Sequence, residues 1–165
     1  LMAATLLPRS SSPTLAGGPG KEFLVGDVNY ATEKGGDAEG GAWRVEVSSP
    51  GTAGEVEFLH AMEVFSNQQA DYLTEALLIE EQGMIGVEIP AATVIFCNDS
   101  GAAGQYRFST QGGHARKHLV AGMPPERKFT VDAEGREIRG VTTGAGTLVF
   151  QTGLKAPAEL TITLE

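Results

Sequence analysis

Any chemistry in this chain would have to come from three histidines, one cysteine and a few aromatic, acidic and basic side chains. His114-Ala115-Arg116-Lys117-His118 sets two imidazoles four residues apart, the spacing that puts a metal-binding pair on one helical face. The run lacks the acidic residue of the zinc-protease motif and lies beside glycines in a β-rich stretch. On a strand, residues four apart share a face but stand about 13 Å apart, too far to share a metal. His114 and His118 therefore read as solvated loop or edge histidines. His60 sits in an alternating run where Val56, Phe58, His60, Met62 and Val64 would share one face. It reads as a packed histidine with one hydrogen bond. Cys97 closes the apolar run Thr93-Val94-Ile95-Phe96-Cys97 and reads as a buried thiol, with no local base or electropositive setting to activate it. As the only cysteine, it excludes an internal disulfide.

Oxygen donors cluster at Asp27, Asn29, Asp37 and Glu39, but not at the spacing of a calcium-binding EF-hand loop, and surface acidity explains them equally well. Gly17-Gly18-Pro19-Gly20 is no phosphate cradle, because its proline removes a backbone donor. Sugar recognition needs aromatic faces and polar partners for hydroxyls. Trp43, the only tryptophan, begins an alternating strand in phase with Val45 and Val47, so it reads first as a core residue and second as a stacking ring. Tyr30 lies beside a glycine-rich stretch. Tyr106 and Phe108 share one strand face, and Arg107 the other. Tyr30, Tyr106, Arg107 and Trp43 are the candidate carbohydrate-binding residues; no catalytic residue, metal ligand or cofactor is assigned. Arg116-Lys117, with Arg127-Lys128, is the densest basic run, explained by solubility or by an acidic-glycan patch.

The elements that must position these groups are strands. The 165 residues contain 22 glycines, which long helices tolerate poorly. Val45 and Val47 alternate with Arg44 and Glu46, and Leu160, Ile162 and Leu164 with Thr161, Thr163 and Glu165. Further strands are expected at 56–66, 86–89, 93–98, 105–110, 118–122, 128–132, 136–142 and 147–152. Turn residues separate them, as in Gln111-Gly112-Gly113 and Ala133-Glu134-Gly135. Residues 71–83 fit either a helix capped by Asp71 and stopped by Gly83 or a hairpin; the hairpin is favoured. Residues 1–20 read as an extended lead-in or linker and 31–42 as a glycine-rich loop. The expected fold is all-β, a β-sandwich of antiparallel sheets in a single domain over 1–165.

A net charge of −9 penalises binding to nucleic-acid phosphates and anionic membranes. No apolar stretch is long enough to span a bilayer as a helix. Opening on Leu1-Met2-Ala3-Ala4-Thr5-Leu6-Leu7, with no basic leader, the sequence reads as an internal or processed fragment.

Two linked segments carry a family resemblance. The first runs Thr5-Leu6-Leu7-Pro8 through Gly17-Gly18-Pro19-Gly20-Lys21-Glu22-Phe23 to Asn29-Tyr30; the second joins Trp43-Arg44-Val45-Glu46-Val47-Ser48-Ser49-Pro50 to Phe58-Leu59-His60. Together they resemble the C-terminal β-sandwich region of heparinase II/III-type polysaccharide lyases. Leu24 and Ala61-Met62 depart from the family's commoner residues, which bears on subfamily and substrate. The resemblance implies a secreted or periplasmic bacterial β-elimination enzyme built from a helical toroid and sandwich layers. Catalytic tyrosine and histidine, and a structural zinc, belong to parts of relatives that this chain does not match. The implied role is therefore a non-catalytic accessory module, inactive alone. Its implied partners are polysaccharide, including uronic-acid-containing polymers, and the catalytic domain. The alternative is a purely structural sandwich that packs on that domain without glycan affinity.

Overall fold

The computed structural model describes residues 2–30, 43–49, 51, 54–64, 74–81, 83–98 and 104–165. Within them every regular element is a strand, and no helix is long and apolar enough to cross a membrane. The expectations for residues 31–42 and for a cap at Asp71 fall outside the described residues. The chain forms two compact units, one from residues 1–6 and 60–165 and a smaller one from residues 7–59.

The larger unit is the expected sandwich. One sheet has five strands in the order β14 (Leu148–Thr152), β11 (Arg116–Ala121), β9 (Ala92–Cys97), β8 (Met84–Ile89) and β7 (Leu77–Glu81). The other has four, in the order β10 (Gln105–Thr110), β15 (Ala158–Leu164), β12 (Lys128–Ala133) and β13 (Arg136–Val141). Residues 77–89 thus form the hairpin favoured by the sequence. All pairings are antiparallel except β9 with β11. That exception departs from the all-antiparallel expectation and follows from the path of the chain. After β9, β10 carries it back through the opposite sheet, so β11 re-enters the first sheet in the direction of β9.

Alternation decides what is buried. Inward positions of the five-stranded sheet hold Ile79, Met84, Ile95, Val120, Leu148 and Phe150; those of the four-stranded sheet hold Tyr106, Phe108, Phe129, Val131, Leu160 and Ile162. They pack as one apolar cluster. Each fully buried side chain contributes about 1.5–3 kcal/mol relative to exposure. The β12–β13 hairpin closes on Glu134 and Gly135, both at positive φ (54° and 81°), and the Asp132 carboxylate accepts from Gly135 N at 2.8 Å. Two residues of positive φ match the twist of the flanking strands, as a type I′ turn requires.

β1 (Met2–Leu7) and β6 (Leu59–Glu63) form a two-stranded sheet. Here the expected inward face is reversed. Leu59 is buried and Ala61 and Glu63 are half-buried, while His60 is exposed and Met62 and Val64 are 69% and 82% exposed. Glu63 is drawn inward because its carboxylate accepts from Thr74 N at 2.9 Å and Thr74 Oγ1 at 2.8 Å, bonds that also lower its pKa. Hydropathy alternation does not register such a partner. His60 is accordingly a surface residue bonded to Thr5 Oγ1 at 3.1 Å and not a packed one. In the smaller unit, β2 (Ser12–Gly17) pairs with β5 (Trp43–Ser48), and β3 (Leu24–Val25) with β4 (Val28–Asn29).

Candidate functional site

In the smaller unit the glycine-rich segment is a stapled loop. Lys21 N donates to Gly18 O at 2.8 Å, and Gly20 N donates to the Glu22 carboxylate at 2.8 Å. The latter bond holds the Glu22 carboxyl below its usual pKa. Asn29 locks the loop from its far side: its amide oxygen accepts from Phe23 N at 3.2 Å and its amide nitrogen donates to Gly20 O at 2.9 Å. Tyr30 N then donates to Phe23 O at 3.1 Å, and the Tyr30 side chain is exposed. Asn29 is thus a structural staple, and Asp37 and Glu39, the other members of the oxygen-rich set, lie outside the described residues.

Trp43 lies against this loop. Paired with Gly17 in the β2–β5 ladder, it sets its indole over Gly18, where a Cβ would stand 3.0 Å from the ring carbon Cη2. Gly18, at φ 116°, is therefore required twice, by its backbone conformation and by the ring. The indole remains 53% exposed, and Leu15 and Val45, directly opposed across the ladder, are 63% and 65% exposed. Trp43 and Val45 are not core residues, which corrects that expectation. The two-stranded sheet leaves this apolar face open to solvent.

Tyr106 is corrected in the opposite direction. It is 8% exposed beside fully buried Phe108, so it presents no ring face to a sugar. Arg107 points to the other face, as expected, and donates to Gln105 Oε1 at 3.0 Å. Of the four candidate sugar contacts, Tyr30 and Trp43 fall in one unit and Tyr106 and Arg107 in the other.

The larger unit contains a site without a local sequence signal. A cleft of about 300 Å³ opens beside β7, β8 and the loop between β10 and β11, walled by Leu77, Ile89, Pro90, Gln111 and Gly112, with Glu75 and His114 among its polar groups. Its floor is a buried ion pair, Glu88 with Arg116, only 3% and 5% exposed. Every group of the floor is bonded. Glu88 accepts from Thr110 Oγ1 at 2.7 Å and from Gln111 N at 3.0 and 3.1 Å. Arg116 Nη1 donates to Glu88, to Thr110 Oγ1 at 3.0 Å and to Gln111 O at 2.7 Å. Buried charges persist only when paired and bonded in this way. Arg116 is thus neither a solubility residue nor part of an exposed basic patch, although Lys117 is exposed.

His118 is also corrected. It is fully buried, stacked on Phe150 with centroids 4.7 Å apart, its Nε2 2.8 Å from Thr152 Oγ1. Burial first, and the Arg116 charge second, push its pKa down to about 4. It is neutral near pH 7, whereas His114 is exposed at the cleft. Cys97 is half-buried, and burial pushes its thiol up to about 11, which leaves it unreactive. Among the described residues, no group of three or more His, Cys, Asp or Glu side chains could hold a metal ion.

Fold and sites together define an all-β, sandwich-like protein with an aromatic shelf on its smaller unit and a polar cleft on its larger one. No protein-family model matches the chain, and no curated protein sequence matches it.

Proposed function

We propose that this chain is a non-catalytic β-sandwich module that contributes to polysaccharide binding within a lyase of the heparinase II/III type. The observation that carries the binding role is the Trp43 shelf. An indole seated on Gly18 is fixed before any ligand arrives, so stacking a sugar ring on its open side costs little additional ordering. Tyr30, exposed in the same unit, adds a second ring and a hydroxyl. The lyase assignment rests on the sequence resemblance over residues 5–30 and 43–63. Secretion or a periplasmic location, and a catalytic domain as partner, belong to that same assignment.

The module is assigned no elimination chemistry. That reaction needs a base and an acid at one sugar, and Glu88 and Arg116 at the cleft floor are committed to each other and to Thr110 and Gln111. Affinity electrophoresis against neutral and uronic-acid polysaccharides tests the binding role. Retardation by at least one polymer is expected, weakened about tenfold or more in Trp43→Ala and less in Tyr30→Ala, with circular dichroism unchanged. Unaltered mobility across the panel would reject glycan binding.

A second reading is favoured by one specific observation. Leu15 and Val45 form a directly opposed, exposed apolar pair next to Trp43, as expected of a face that packs on another domain. A purely structural module would use this face for docking and have no glycan affinity.

A further inference from the structure

The cleft of the larger unit is built differently from the shelf and has its own ligand chemistry. We propose that it is a second glycan subsite, which receives one uncharged sugar unit. The proposal rests on the polysaccharide-binding reading and extends it to a site that reading does not use.

Three observations carry it. The first is preorganisation. The loop between β10 and β11 is fixed through its backbone: Gln111 N and O are held by Glu88 and Arg116, and Gly113 N donates to Leu154 O at 2.8 Å. Gly112 is pressed so closely on the chain that a Cβ would stand 2.2 Å from the Ala156 carbonyl. The loop backbone is occupied, while the Gln111 and His114 side chains remain exposed at the cleft. A wall anchored by its main chain that leaves its polar side chains to the opening is the arrangement of a preformed binding site.

The second observation is size and polarity. About 300 Å³ accommodates one hexose with a few waters, at the lower end of small-molecule sites. Leu77 and Pro90 offer apolar surface for the C–H face of a pyranose ring. Glu75 accepts from hydroxyls, and the Gln111 amide and His114 imidazole both donate and accept. Arg116 adds a donor at the floor. Its Nε and Nη2 each donate to Pro90 O at 3.4 Å and its Nη1 to Glu88, Thr110 and Gln111, so among the described residues one Nη2 hydrogen has no acceptor.

The third is charge. The floor pair is neutral as a unit, and Glu75 adds a carboxylate to the opening. Among the described residues that line the cleft, the only Lys or Arg is Arg116, already paired with Glu88, so a ligand carboxylate would face the Glu75 carboxylate unmatched. The cleft therefore favours a neutral sugar over a uronic acid.

Amide shift mapping by NMR on the full chain tests this, with hexasaccharides of neutral glucose, mannose and xylose, a galacturonate hexamer and a cationic glucosamine hexamer as probes. The expected result is that at least one neutral hexamer shifts the amides of Gln111, Gly112 and His114. Glu75→Ala and His114→Ala, which replace exposed side chains, should each weaken that binding about tenfold while leaving the spectrum of the core in place. Shifts confined to Gly18, Tyr30 and the Trp43 indole, abolished by Trp43→Ala, would overturn the cleft subsite yet preserve the binding role. Preference of the cleft for the galacturonate or glucosamine hexamer would overturn its neutral-sugar chemistry. No shift with any probe would overturn both the subsite and the polysaccharide reading.

Discussion

His118 shows how one side chain links the core to solution conditions. It occupies a row of inward-facing residues across the five-stranded sheet, Glu88, Thr93, His118 and Phe150, partnered strand to strand. Its folded pKa is pushed down to about 4, chiefly by burial and secondly by Arg116. In the unfolded chain an ordinary histidine titrates near 6.5. Above that value neither state carries the extra proton, and the native contacts have their full effect. As pH falls from about 6.5 toward 4, the unfolded chain binds a proton that the native state refuses, so stability declines. The expected loss is about 2 kcal/mol between pH 7 and pH 5, a window that lies above most carboxylate titration. Urea denaturation across those pH values measures it. His118→Leu should be less stable at pH 7, because Thr152 loses its partner, but its stability should be nearly flat over that window. An unchanged slope in the variant would place the pH dependence elsewhere.

At the scale of elements, the five-stranded sheet depends on paired strands approaching closely where a side chain is absent. Gly86, on β8 beside β9, shows it. It faces inward on β8 between Met84 and Glu88, and a Cβ there would stand 2.5 Å from Val94 O and 2.9 Å from Ile95 Cγ1. The nearest obstacle is backbone and cannot rotate away. Gly86→Ala should therefore cost about 2–3 kcal/mol, seen as a lower urea midpoint with an unchanged slope of the transition. The alternation that places Gly86 also explains how much of the fold was legible. Period-two patterning and turn residues marked β10 at its observed limits and the neighbouring strands to within a few residues, because both signals are local. Alternation assigns residues to a common face, but it does not say which face meets another sheet. Trp43 with Val45, and Met62 with Val64, were therefore expected inward and lie outward. Tyr106 shares its face with Phe108, and that phase already pointed to the core. The cleft had a subtler signal. Glu88 is in phase with Met84 and Gly86, and Arg116 with His118 and Val120, so each charge stands at an apolar position of its strand. Two opposite charges out of place, 28 residues apart, are what a buried pair looks like before folding joins them.

For the whole molecule, the proposed binding role must hold against a net charge of −9. Both proposed contact surfaces act at short range, through stacking at Trp43 and hydrogen bonds at the cleft. A neutral glycan should therefore bind with an affinity that changes less than about twofold between roughly 20 mM and 300 mM sodium chloride. A polyuronate meets the opposite balance. It is repelled by the molecule as a whole, and added salt screens that repulsion, so any affinity it has should rise over the same range. A protein that grips acidic glycans through a basic patch would weaken steeply with salt instead. Arg116 cannot contribute to such a patch, since its charge is buried against Glu88. Titration of a neutral and an acidic hexamer at several salt concentrations distinguishes these cases. Steep salt weakening with the acidic hexamer would mean that a cationic surface dominates recognition, and the stacking-and-cleft account would then have to be abandoned.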